Sequence, residues 1–144
     1  MGTRATKSTA REREVDEKEQ YERLSSFRWQ LRRFLRASED ICRDVGITAL
    51  HYQVILHTQG FEGREWASIG ELAERLQARP HGVVALVTRC EQAGLVERRA
   101  NEKDGRLVEV HLTAKGRRHL KRIAELHREE LAQLAAVVEA ASEG

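Results

Sequence analysis

Proline occurs once in 144 residues, aromatic side chains make up only 5%, and cysteine appears twice. So few turn-formers and aromatics argue against an all-β protein, and the many Ala, Leu, Glu and Arg residues favour helix. Cys42 and Cys90 lie far apart, with no Cys-x-x-Cys or Cys/His ligand spacing, so no disulfide framework is implied. No stretch approaches the ~20 consecutive apolar residues of a membrane span. The first twenty residues mix Arg, Lys, Thr and Glu without the apolar centre of a secretory signal. These absences predict a cytoplasmic protein with reduced thiols and no membrane partner. The chain also lacks a glycine-rich phosphate loop, a nucleophile elbow and a cysteine with a recognisable histidine partner, so neither an enzyme nor a bound cofactor is expected. His51 with His57, and His111 with His119, miss the i, i+4 spacing of a helical ligand pair, and no metal site is expected.

What is present is charge, at 33% of residues and nearly balanced at +2 overall. Its distribution is uneven. Between Arg79 and Arg118 nine Lys/Arg stand against five acids, a surplus of four, while the rest of the chain is slightly acidic. A locally basic segment on a near-neutral chain suggests a surface that faces a polyanion.

The length suits about one domain. Residues 1–16 hold little apolar surface to offset the entropy of ordering them and read as a mobile tail. From Glu17 to Val45, apolar positions at Leu24, Phe27, Leu31, Phe34, Ile41 and Val45 make a stripe on one long helix that stops at Gly46. Thr48 caps a second helix running to Gly60, and Phe61–Trp66 reads as a connection. Ser68 followed by Glu71 is a capping box opening a short helix. After a break at Ala78–Arg79, Pro80 suits the first turn of a helix ending at Gly94. The β-prone runs Leu95–Arg99 and Leu107–Leu112 flank a polar loop and predict a hairpin with a basic tip. Thr113 caps a last helix, Ala114 to about Ala140, striped by Leu120, Ile123, Leu131, Leu134 and Val138. The expected fold is mainly α (α+β). Residues 46–113 form a winged helix-turn-helix lobe, and 17–45 with 114–144 form long terminal helices.

A helix of this kind fits the major groove of B-DNA, and a hairpin beside it reaches the flanking backbone or the minor groove. Arg79, His81, Val84, Ala85 and Thr88 occupy the outer, N-terminal part of the second motif helix, where base edges are met. Two long helices at opposite ends of a small chain carry more apolar stripe than one lobe covers, which favours a homodimer.

The stretch Asp104-Gly105-Arg106-Leu107-Val108-Glu109-Val110-His111-Leu112-Thr113-Ala114-Lys115-Gly116 carries an Asp-x-Arg followed by Val-x-Leu-Thr-x-x-Gly. Together with Gly46-Ile47-Thr48, Tyr52, Leu72-Ala73 and Gly94-Leu95-Val96-Glu97-Arg98, it makes residues 20–140 resemble the MarR family of winged helix-turn-helix transcriptional regulators. The resemblance implies a homodimeric regulator, in most cases a repressor, that binds double-stranded DNA at a pseudo-palindromic operator. It implies Arg106 entering the minor groove with Asp104 orienting it, or else an ion pair that stabilises the hairpin. Lys103, Arg98 and Arg99 become candidates for phosphate contacts, and Arg79 and His81 for base edges. Pro80, Gly82, Val84 and Ala85 replace the polar residues common in the family, which shifts readout toward apolar contact. Ser68 serves a phosphate or only its helix cap. A small aromatic or phenolic acid is the implied effector, with Arg28, Trp29, His51 and Tyr52 as candidates unless they serve ordinary packing. Cys42 and Cys90 could sense oxidants only if partly exposed with a depressed pKa.

Overall fold

The computed structural model describes residues 9–143. Helix α1 (Ala10–Val45) is followed by α2 (Ala49–Gln59), strand β1 (Trp66–Ser68), α3 (Ile69–Leu76) and α4 (Pro80–Gln92). Strands β2 (Val96–Ala100) and β3 (Val108–Leu112) come next, then α5 (Ala114–Leu126) and α6 (Arg128–Ser142). This is the expected mainly α architecture with a small antiparallel sheet, ordered β1-β3-β2. The chain divides into two compact units, residues 38–128 and the terminal segments 9–37 with 129–143.

Three boundaries differ from the sequence expectation. Helix α1 begins at Ala10, so the described part of the expected tail is helical, while residues 1–8 lie outside the described residues. The start signal is local: the Thr9 amide donates to Glu12 Oε2 (2.8 Å) and the Glu12 amide to Thr9 Oγ1 (3.3 Å), a capping box followed by strong helix formers. The connection before Ser68 contains β1, whose Trp66 and Ser68 lie opposite His111 and Glu109. The last helix is interrupted at His127, whose buried ring hydrogen-bonds the Ile123 carbonyl and Ser38 Oγ (2.8 Å each) and stacks on Tyr52 at 5.2 Å.

The core belongs to the 38–128 unit. Val54 and Ile55 of α2 meet Leu72 of α3, Val83, Leu86, Val87 and Cys90 of α4, and Leu95, Val96, Val110 and Leu112 of the hairpin. Each such side chain contributes roughly 1.5–3 kcal/mol by leaving water. In the terminal unit, by contrast, no described residue is buried. Its apolar side chains stand largely in the open, with Tyr21 and Trp29 60% exposed, Leu24 53% and Leu131 50%. Among the described residues no helix is long and apolar enough to cross a membrane.

Candidate nucleic-acid interface

The two motif helices are set by local chemistry. Ser68 caps α3, its hydroxyl accepting from the Glu71 amide (3.2 Å) while Glu71 Oε1 accepts from the Ser68 amide (2.9 Å). Its hydroxyl is therefore engaged in the cap. The chain turns at Gln77, which adopts the left-handed conformation (φ 51°) rarely taken by side chains other than glycine and asparagine. Its amide side chain donates to the Glu74 carbonyl at 2.7 Å. Pro80 then opens α4 in its first turn, where no backbone N–H is needed, and Arg79 precedes it without a side-chain cap. Because Val83, Leu86, Val87 and Cys90 are drawn into the core, the opposite face presents His81, Val84, Ala85 and Thr88. Arg79 and Pro80 are exposed at its N-terminal end.

The hairpin lies beside this helix with Val96 opposite Leu112 and Ala100 opposite Val108. The turn at its tip is organised by two side chains. Asn101 Oδ1 accepts from the amides of Lys103 (3.0 Å) and Asp104 (2.9 Å), and Asp104 Oδ1 accepts from the Arg106 amide (3.0 Å). Asp104 thus holds the backbone of Arg106. Lys103 and Arg106 are exposed at the tip, and among the described residues neither side chain has an ion-pair partner; the same holds for Arg79.

The other two expected cations are engaged. Arg98 reaches from β2 to α4, pairing with Glu91 and donating through Nη2 to the Val84 carbonyl (3.0 Å) and Thr88 Oγ1 (2.9 Å). It fixes the hairpin against the outer-face helix. Arg99 pairs with Glu97 on its own strand.

Sequence reasoning missed the brace at the hairpin's base. Glu109 accepts from Asn101 Nδ2 (2.7 Å) and hydrogen-bonds His111 Nε2 (2.8 Å). The His111 imidazole, helped by Asn101, holds the Glu109 carboxyl below the ordinary carboxylate value. His111 also stacks on Trp66, whose other neighbour is the Arg64 guanidinium, 3.7 Å from the ring centre and 4.2 Å from that of Phe61. Arg64 pairs in turn with Glu71. Burial alone would raise the Glu71 carboxyl, but the Ser68 amide and hydroxyl and the Arg64 charge outweigh it and lower the pKa. A carboxylate lowered by folding contributes stability that is complete above its unfolded pKa and is lost as pH falls through the folded one. Acid unfolding followed by circular dichroism should therefore show a shallower loss below about pH 4.5 for Glu71→Gln than for the parent chain. Parallel acid limbs would contradict this.

The four candidates for a small-molecule site divide between the two units. Trp29 is exposed, with the Arg33 guanidinium 5.4 Å from its ring centre, and Arg28 is exposed beside it in sequence. Tyr52 is committed to its stack on His127. His51 lines a cavity of about 330 Å³ with Arg43, Lys115 and His119, and burial, then the charge of Arg89, lowers its pKa. Both cysteines are buried. Burial pushes the Cys90 thiol up to about 11 and the Cys42 thiol in the same direction, opposite to what a reactive thiolate needs. Among the described residues no group of three or more His, Cys, Asp or Glu is arranged to hold a metal ion.

Residues 45–107 match the sequence profile of the MarR family. Over 48 residues the chain is 38% identical to the HTH-type transcriptional repressor MdtR of Bacillus subtilis (strain 168). That aligned stretch is 33% of this chain and spans about a third, 31%, of the repressor's length. Apo MarR from E. coli superposes with a TM-score of 0.64 at 21% identity, covering 76% of this chain and 79% of that one. A variant of S. aureus MepR bound to an oligodeoxyribonucleotide gives 0.63 at 17% identity, covering 78% and 80%. At such identities the likeness shows the fold. The sequence matches and the shared arrangement of motif helices and hairpin together make this winged helix-turn-helix chain similar to the MarR family over residues 45–107.

Proposed function

We propose that the protein is a homodimeric transcriptional regulator, acting as a repressor, that binds a pseudo-palindromic operator in double-stranded DNA. The observation that carries this reading is the unpaired basic tip. Lys103 and Arg106 project from a turn whose backbone is fixed by Asn101 and Asp104, next to a helix face on which His81, Val84, Ala85 and Thr88 are exposed. A guanidinium in a narrow minor groove gains from the concentrated negative potential there, while α4 in the adjacent major groove meets base edges. The relative named as a repressor and the neighbour solved with an oligodeoxyribonucleotide support the assignment.

The terminal unit supports the dimer. A 36-residue helix, roughly 54 Å long at 1.5 Å per residue, exposes Leu24, Trp29 and Leu35 along its length, and α6 buries nothing. A second copy covers that surface most economically, and two-fold symmetry then sets half-sites about one DNA turn apart. Release by a small aromatic or phenolic acid completes the proposal, with Arg28 and Trp29 in one unit and His51 and Tyr52 in the other as the residues to examine.

The test is a salt titration of duplex binding. Phosphate neutralisation makes affinity fall steeply with salt. Arg106→Ala should weaken binding about tenfold, or about 1.4 kcal/mol, and reduce the salt slope by about one. Its melting temperature should stay unchanged, because the side chain is exposed and unpaired among the described residues. Failure to bind any duplex at about 50 mM salt, where such contacts are strong, would instead favour a wing that engages protein.

A further inference from the structure

We propose that α4 identifies its half-site chiefly through thymine C5-methyl groups packed against Val84 and Ala85. The proposal rests on the DNA-binding reading above and names what that helix recognises.

Three observations carry it. First, the polar side chain in the second turn is already used. Thr88 Oγ1 donates to the Val84 carbonyl (3.0 Å) and accepts from Arg98 Nη2 (2.9 Å). Arg98, which reaches this turn from β2, is itself held by Glu91 and the same carbonyl. Neither is free to read a base edge, and the exposed cationic or imidazole side chains left on and just before α4 are Arg79 and His81 at its start and Arg89 beyond Thr88, outside the Val84–Ala85 patch. Second, Val84 is 45% exposed in a chain that buries Val83 and Val87 almost completely on the other side of the same helix. Val84 and Ala85 lie with His81 and Thr88 on one face at helical spacing, and offer only methyl groups there. In the major groove the feature complementary to a methyl surface is the thymine methyl, the one methyl group that the four bases present among donors, acceptors and the small cytosine C5–H edge.

Third, among the described residues no packing contact calls for glycine at position 82. A Cβ at this position would meet nothing within 4 Å, yet glycine in a helix costs up to about 1 kcal/mol relative to alanine. A glycine that packing does not require, beside a face of small apolar groups, suits close approach of the helix backbone to a groove floor.

Replacing thymine by uracil removes only the C5-methyl and keeps the pairing and every hydrogen-bonding group. Full-length protein is first used to select duplexes from a random library, and each thymine of the selected site is then replaced in turn. With about 0.8 kcal/mol per buried methyl-sized group, one or two positions per half-site should each lose about fourfold in affinity. Val84→Ala should shrink that penalty, and Gly82→Ala should weaken binding while leaving the melting temperature equal or higher. Uracil tolerated at every position of a duplex that is bound with sequence preference would overturn methyl reading while leaving DNA binding intact. An equal loss for thymine and uracil duplexes in Val84→Ala would do the same. Absence of any selected duplex would remove both readings.

Discussion

Gly116→Ala is expected to lower the stability of the protein by about 3 kcal/mol, the upper end of what forced overpacking costs. An alanine Cβ at this position would lie 2.1 Å from the Leu95 carbonyl oxygen, 3.1 Å from its carbon and 3.3 Å from Leu112 Cγ. Two of these are backbone atoms, which cannot swing aside as the end of a side chain can. The Leu95 carbonyl is also fixed by the Thr113 amide (3.0 Å), and the Thr113 hydroxyl donates to the Gly94 carbonyl (2.5 Å) while accepting from the Gly116 amide (3.0 Å). Relief of the clash therefore means separating α5 from the β2 entry and exposing Leu95, Leu112 and their neighbours. With about 2–4 °C per kcal/mol for a domain of this size, the melting temperature should fall by about 10 °C. Gly105→Ala at the hairpin tip is the control: a Cβ there meets nothing, and the change should stay within about 0.5 kcal/mol. Equal melting temperatures for the two variants would refute the account.

Leu31→Asp should convert the proposed dimer to a monomer at micromolar concentration. Leu31 is half-buried in the unit in which no described residue is buried, on the helix that also exposes Leu24 and Leu35. In a two-fold assembly the substitution acts twice, placing a carboxylate from each chain in an apolar contact without a partner, at several kcal/mol per charge. Sedimentation should then report the 16.5 kDa of one chain. Because residues 38–128 keep their own core, far-ultraviolet circular dichroism should retain the lobe's helix signal while the long helix frays. An unchanged apparent mass would mean that the terminal helices are covered in some other way.

The elements with local signals were legible. The capping box at Ser68, Pro80 in a first turn, Gly46 and Gly94 as stops, and the alternation of Val108–Leu112 each depend on residues within a few positions of one another. Thr9 with Glu12 carries the same local signal as Ser68 with Glu71, but a stretch whose large apolar residues before Leu24 are Val15 and Tyr21 alone has no stripe to mark it as a packed helix. Strand β1 was not legible, since three residues become a strand only through the partner that β3 supplies more than forty positions later. Nor was the interruption at His127, which no glycine or proline marks and which reflects a ring drawn to Tyr52 and Ser38.

The amino-acid sequence by itself determined the caps and stops of α2, α3 and α4 and the cap of α5, which faces are apolar, the winged helix-turn-helix order and the basic segment. Only the tertiary structure decided which of the basic residues are committed: Arg98 to α4, Arg99 to Glu97 and Arg64 to Glu71, with Arg106 left unpaired among the described residues. The reason is physical. Helix caps and periodicity act over one or two turns of chain, whereas the partner of a long flexible cation is whichever acceptor the fold brings within about 3 Å, a property of distance in space and not along the sequence.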